Sequence, residues 1–187
     1  MSLTPITSCD YVTELPLCSD SGLPVFREFT DREIEALRSI VKTDAFAAAK
    51  ARSPYYLAWF VEDRLRGRES PIKVNLLTHG LARDSRNTLS DPAYMDLVIA
   101  EIESIIPVLS EEDRPFHWAL LAFLLFHTDR PDEASTHLER AKTAGRTQGR
   151  DFSTYVKAVE LCLSNQDEIF CRPDTPVTQT MRFKSRQ

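Results

Sequence analysis

An all-α protein is predicted, made of antiparallel helical hairpins that stack as a short solenoid or gather as a compact helical bundle. Three observations carry this. Residues 115–141, PFHWALLAFLLFHTDRPDEASTHLERA, read as an apolar helix, a short turn and a second helix apolar on one face. Helix-start signals recur near 54, 71, 92, 112, 131 and 151, about twenty residues apart, as stacked hairpins require. Valine and isoleucine are scattered singly instead of alternating over strand lengths, so no sheet is expected.

The elements follow from their punctuation. Thr30 and Glu33, in TDRE, have capping-box spacing, in which each side chain reaches the other residue's backbone N–H; a helix to about Val41 follows. An alanine-rich helix is expected over 45–52. Ser53 as cap, Pro54 as first residue and Gly67 as stop frame PYYLAWFVEDRLR. Ser70 and Pro71 repeat the device before KVNLLTHGLAR, and Ser90 or Asp91 with Pro92 opens another helix that Pro107 ends. Ser110, with Asp113 three residues on, precedes the apolar helix.

That helix, residues 116–126, is apolar on every side, so it must be covered all round. It is far shorter than the ~20 residues a bilayer span needs, and so belongs to a core. Trp118 and Leu121 are expected to be buried, Trp118 near Leu138. Pro131 suits the first position of the next helix, and Asp132 and Glu133 sit at the positive end of its dipole. Ala134, Leu138 and Ala141 fall at spacings of four and three, on one face.

The positions Trp118, Leu121, Ala122 and Leu125, then Ala134, Leu138 and Ala141, resemble the tetratricopeptide repeat. The best match spans 115–148, with weaker ones at 71–104 and 149–164. Ala122 stands where the family has glycine, Leu125 where it has tyrosine, and Arg146 where a closing proline is common. The resemblance implies a TPR-like α-solenoid whose first helices line a groove. On this chain the groove positions of the best repeat are Phe116, Ala119, Phe123, Phe126 and His127. The implied function is a non-catalytic scaffold or adaptor that binds a partner segment. The groove would be apolar, so a protein partner, a second copy of the chain or its own N-terminal segment is expected to cover it.

The 187 residues suit a single helical domain over 25–168, with an extended or disordered segment at 1–24 and a tail at 169–187. The N-terminus lacks a charged start followed by an apolar core, which reads as cytoplasmic. The net charge of −5 disfavours non-specific nucleic-acid binding. From Asn87 to Asp113 the chain carries Asp91, Asp96, Glu101, Glu103, Glu111, Glu112 and Asp113 with no Lys or Arg. Cations gather instead at Arg64, Arg66, Arg68 and Lys73, and at Arg140, Lys142, Arg146 and Arg150. Solvated faces are the plain reading; steering of a charged partner is the sharper one.

No cofactor, metal or catalytic residue is expected. None of the five glycines builds a phosphate loop. His79, His117, His127 and His137 are never three or four residues apart, so no helical metal pair exists. Cys9 and Cys18, and Cys162 and Cys171, are separated by nine residues, which is no common zinc spacing; free thiols are expected. Two alternatives differ in class. A helical transcription regulator would enter DNA with PIKVNLLTHGLARDSRN, although that stretch has few cations. A small enzyme would need a site assembled in space that no motif announces.

Overall fold

The computed structural model describes residues 15–67, 70, 72–83, 88–144 and 152–165. Among them the secondary structure is helical, with no strand beyond one isolated bridge between Leu17 and Pro24. The all-α class holds. Within the span read as one helical domain, contacts gather into two compact units, holding described residues 15–83 and 88–165.

In the first unit, α1 (Asp31–Ile40) opens with the expected capping box: the Thr30 hydroxyl accepts from the Glu33 N–H, and Glu33 accepts from the Thr30 N–H. Thr43 caps α2 (Asp44–Lys50) through its hydroxyl alone, which accepts from the Phe46 N–H. Ser53 caps α3 (Pro54–Arg66), whose first residue is proline and whose stop is Gly67 at φ 59°, a left-handed value that favours glycine. The fourth helix, α4 (Lys73–Arg83), starts later than the Ser–Pro signal suggested. The Ser70 hydroxyl donates to the Glu62 carboxylate instead, because an acid inside the unit needs a donor there. α3 is the hub and touches α1, α2 and α4. Its buried face is Tyr55, Leu57, Ala58, Val61 and Glu62.

Residues 15–24, expected to be extended or disordered, form a small loop closed by the Leu17–Pro24 bridge. Gly22, at φ 72°, makes its turn. Leu23, Phe26 and Phe29 then pack on the core of Leu37, Phe46, Ala49, Leu57 and Val61. Residues 1–14 and 166–187 lie outside the described residues, as do the calls on Arg68, Arg146 and Arg150.

In the second unit, α5 (Pro92–Ile105) is capped by Asp91, not Ser90, and runs into a 3-10 turn, Ile106–Val108, that contains Pro107. The Ser110 hydroxyl accepts from the Asp113 N–H one turn ahead of α6 (Arg114–His127). α6 is the hub, touching α5, α7 (Pro131–Ala144) and α8 (Ser153–Asn165). The requirement that it be covered all round is met over its middle, where residues 119–125 are buried. Leu121 is fully buried as expected, but Trp118 is only half-buried, because the flanking helices seal the middle of α6 more fully than its ends. Ala134, Leu138 and Ala141 form the buried stripe of α7.

The turn between α6 and α7 is a Schellman closure. Arg130 N–H donates to Leu125 O at 2.9 Å and Asp129 N–H to Phe126 O at 3.3 Å, which answers carbonyls at the helix end. Asp129 sits at φ 58°, where glycine is usual.

Candidate functional site

The five groove positions divide along α6. Ala119 and Phe123 are fully buried, so they serve the core and offer nothing to a partner. This corrects their placement in an open groove: the covering helices reach the middle of α6. Phe116, Phe126 and His127, nearer its ends, are half-buried and keep some surface. The Phe116 ring lies 5.2 Å from that of Phe152 and 5.0 Å from that of Tyr155, so the start of α8 and the residue before it pack against it. At the other end, His127 meets Phe123 at 4.5 Å and Phe126 at 5.9 Å, both edge-on. Thus Phe123, Phe126 and His127 are brought together, whereas Phe116 stands two turns away on the helix.

Two neighbouring histidines are held towards neutrality. His117 shares a 2.9 Å hydrogen bond with the Asp113 carbonyl, and burial pushes its pKa below the ordinary value. Burial does the same to His137, helped by the Arg140 charge, and its Nδ1 has no partner among the described residues.

A second constellation lies in the first unit. Glu62 has no exposed surface, yet its carboxylate is met from three sides. Arg27 donates to Oε2 through Nε at 2.9 Å and Nη2 at 2.8 Å, Ser70 donates to Oε1, and Arg66 Nε lies 3.8 Å from Oε1. Arg27 also reaches Glu33, through Nη1 at 3.0 Å and Nη2 at 2.7 Å. Arg66 Nε adds a bond to Glu33 at 3.0 Å. The guanidinium fork suits this task because it can bind two planar carboxylates at once. It is also stacked among apolar groups, 4.7 Å from the Phe29 ring centre and 5.7 Å from that of Phe26. The Arg27 guanidinium holds the Glu33 carboxyl far below the usual carboxylate range, and the Thr30 N–H adds to the effect.

No family model, no curated protein and no solved structure matches this chain. The site must therefore be read from its own chemistry.

The cations that suggested a charged surface are largely committed within their units. Arg66 serves Glu33, Lys73 is buried and binds Asp63 at 2.7 Å, and Arg64 lies over the Phe60 ring at 5.2 Å. Lys142 pairs with Glu139 and Glu160. Among the described residues no group of three or more His, Cys, Asp or Glu is placed to hold a metal ion, and no helix is long and apolar enough to cross a membrane. Cys18 is a free, exposed thiol, and bonds from the Ser21 hydroxyl and the Ser21 and Asp20 backbone lower its pKa. Cys162 is fully buried and disulfide-bonded, against the expectation of free thiols, with its partner outside the described residues. Sequence spacing says nothing of such a pairing, because tertiary proximity decides it.

Arg27 and Glu62 were not singled out in the sequence. Signals were present nonetheless. Glu62 falls in register with Tyr55 and Ala58 on the buried stripe of α3, and an acid there calls for a cation. Arg27 is flanked by aromatics in FREF.

Proposed function

We propose that the chain is a non-catalytic protein-interaction module of the TPR-like, helical-hairpin kind, which binds a partner segment at the aromatic surface left at the ends of α6. One observation carries the reading: α6 packs on α7 as a hairpin and then on α8, with Phe116 stacked against Phe152 and Tyr155. In a repeat scaffold the first helix of one hairpin touches its own second helix and the first helix of the next. The face shared by successive first helices is where an extended or helical ligand lies. Phe126 and His127 keep partial exposure on α6, enough for aromatic anchors but too little for a wide groove.

Photocrosslinking tests the reading. A benzophenone side chain at Phe126, introduced in the source cell, should yield a discrete protein adduct that His127→Glu suppresses. Adducts from exposed sites such as Thr136 but none from Phe126 would contradict the proposal.

A further inference from the structure

The segment ahead of α1 docks on the first unit through side chains. Among the described residues its backbone-to-backbone hydrogen bonds ahead of the cap stay within it: Cys18 N–H to Leu23 O at 2.8 Å, Gly22 N–H to Cys18 O at 2.7 Å and Val25 N–H to Pro16 O at 2.8 Å. What reaches the helices is Leu23, Phe26 and Phe29, seated on the core, and Arg27, inserted between Glu33 and Glu62. From the helix side, Lys50 Nζ donates to Ser21 O at 3.2 Å. A few apolar anchors around one desolvated, hydrogen-bonded charge is the anatomy of a bound peptide, not of a strand fixed by a ladder.

We propose that the cleft formed by α1, α2 and α3 is a recognition site for an extended partner segment in which two aromatic side chains flank an arginine, and that residues 23–29 fill it in cis. The carboxylates define the specificity. Glu62 is wholly buried and Glu33 partly so, and an occupant without a cation would leave Glu62 only the Ser70 hydroxyl and the more distant Arg66. A lysine offers a single point of charge, whereas one guanidinium reaches both acids in the structure. Phe26 and Phe29 both lie against the guanidinium, at 5.7 and 4.7 Å, and their rings meet edge-on at 5.4 Å. This site lies in the first unit and does not depend on the α6 surface. The tethered segment competes at an effective concentration on the order of millimolar, so an outside segment enters only when the cis contact is weakened.

The probe is a fluorescein-labelled synthetic peptide of residues 21–30, SGLPVFREFT, titrated into the full-length chain. Phe29→Ala in the chain loosens the cis segment and should tighten peptide binding roughly a hundredfold over the unaltered chain. The same peptide carrying Arg27→Glu should bind neither form. If the Phe29→Ala chain loses helix, circular dichroism takes over: the native peptide should restore helicity and the Arg27→Glu peptide should not. Sedimentation of the full chain at twice 21.3 kDa, abolished by Arg27→Glu, would support the site with a second copy as donor. No binding together with no rescue, or equal behaviour of the two peptides, overturns the proposal.

Discussion

The two units are each organised about one helix, but the hubs could hardly differ more. α6 meets its neighbours with an unbroken apolar middle, residues 119–125, whereas α3 carries a fully buried glutamate on the same face as Tyr55 and Ala58. An apolar hub needs only bulk around it, and any well-shaped helix will serve. A hub with a buried charge needs one particular partner, which comes here from outside the helices, at Arg27. The first unit is therefore tied to its preceding segment by chemistry, and the second is held by packing.

This difference can be broken at several points. Arg27→Ala should destabilise the first unit by about 3–5 kcal/mol, because it strands the Glu62 carboxylate. Leu121→Ala should cost the second unit about 3 kcal/mol, the price of a cavity in a close-packed core. The two tryptophans give separate probes, Trp59 on α3 and Trp118 on α6. Urea titrations of Trp118→Phe and Trp59→Phe backgrounds should assign each loss to its own unit. A shift of under about 0.5 kcal/mol for either change would remove that hub from the description.

Acid should separate the units further. Burial holds His117 and His137 below their ordinary 6.5, so the folded second unit favours the neutral rings. Its stability is therefore complete above 6.5 and declines as pH falls below it. The first unit's depressed carboxyl among the described residues is Glu33, whose contribution is present above 4.5 and lost only as pH falls below that. Denaturation midpoints at pH 7.5 and 5.5 should thus move for Trp118 and hold for Trp59. Smallest of all, Asp129→Gly should stabilise the second unit by about 0.5 kcal/mol, since glycine adopts the positive φ without strain. A loss on that change would mean that the Asp129 side chain itself holds the turn.

The same contrast explains what could be read in advance. Caps and breakers act within a few residues, so Thr30, Ser53, Pro54, Gly67 and Pro131 marked helix ends that the structure bears out. The all-round apolarity of 116–126 announced the burial of its middle, 119–125. Local pattern could not tell which half of a groove position would be sealed: Phe123 and Phe126 look alike in sequence, yet the first is fully buried and the second half-buried. Nor could it pair Arg27 with Glu62, 35 residues apart, or assign Ser70 to that acid rather than to its own helix. Long-range polar pairing depends on which surfaces meet, and a single sequence does not record that.

The most direct measurement is a double-mutant cycle on Arg27 and Glu62, read as urea stability through Trp59 in the Trp118→Phe background. Arg27→Leu and Glu62→Leu should each be destabilising alone, since the first takes the bidentate partner from a fully buried carboxylate and the second leaves Arg27 with Glu33 as its only carboxylate. The double variant should recover a large part, with a coupling of about 2 kcal/mol or more. Losses that simply add, with coupling within about 0.5 kcal/mol, would contradict the claim that one arginine ties the preceding segment to the charged hub of the first unit.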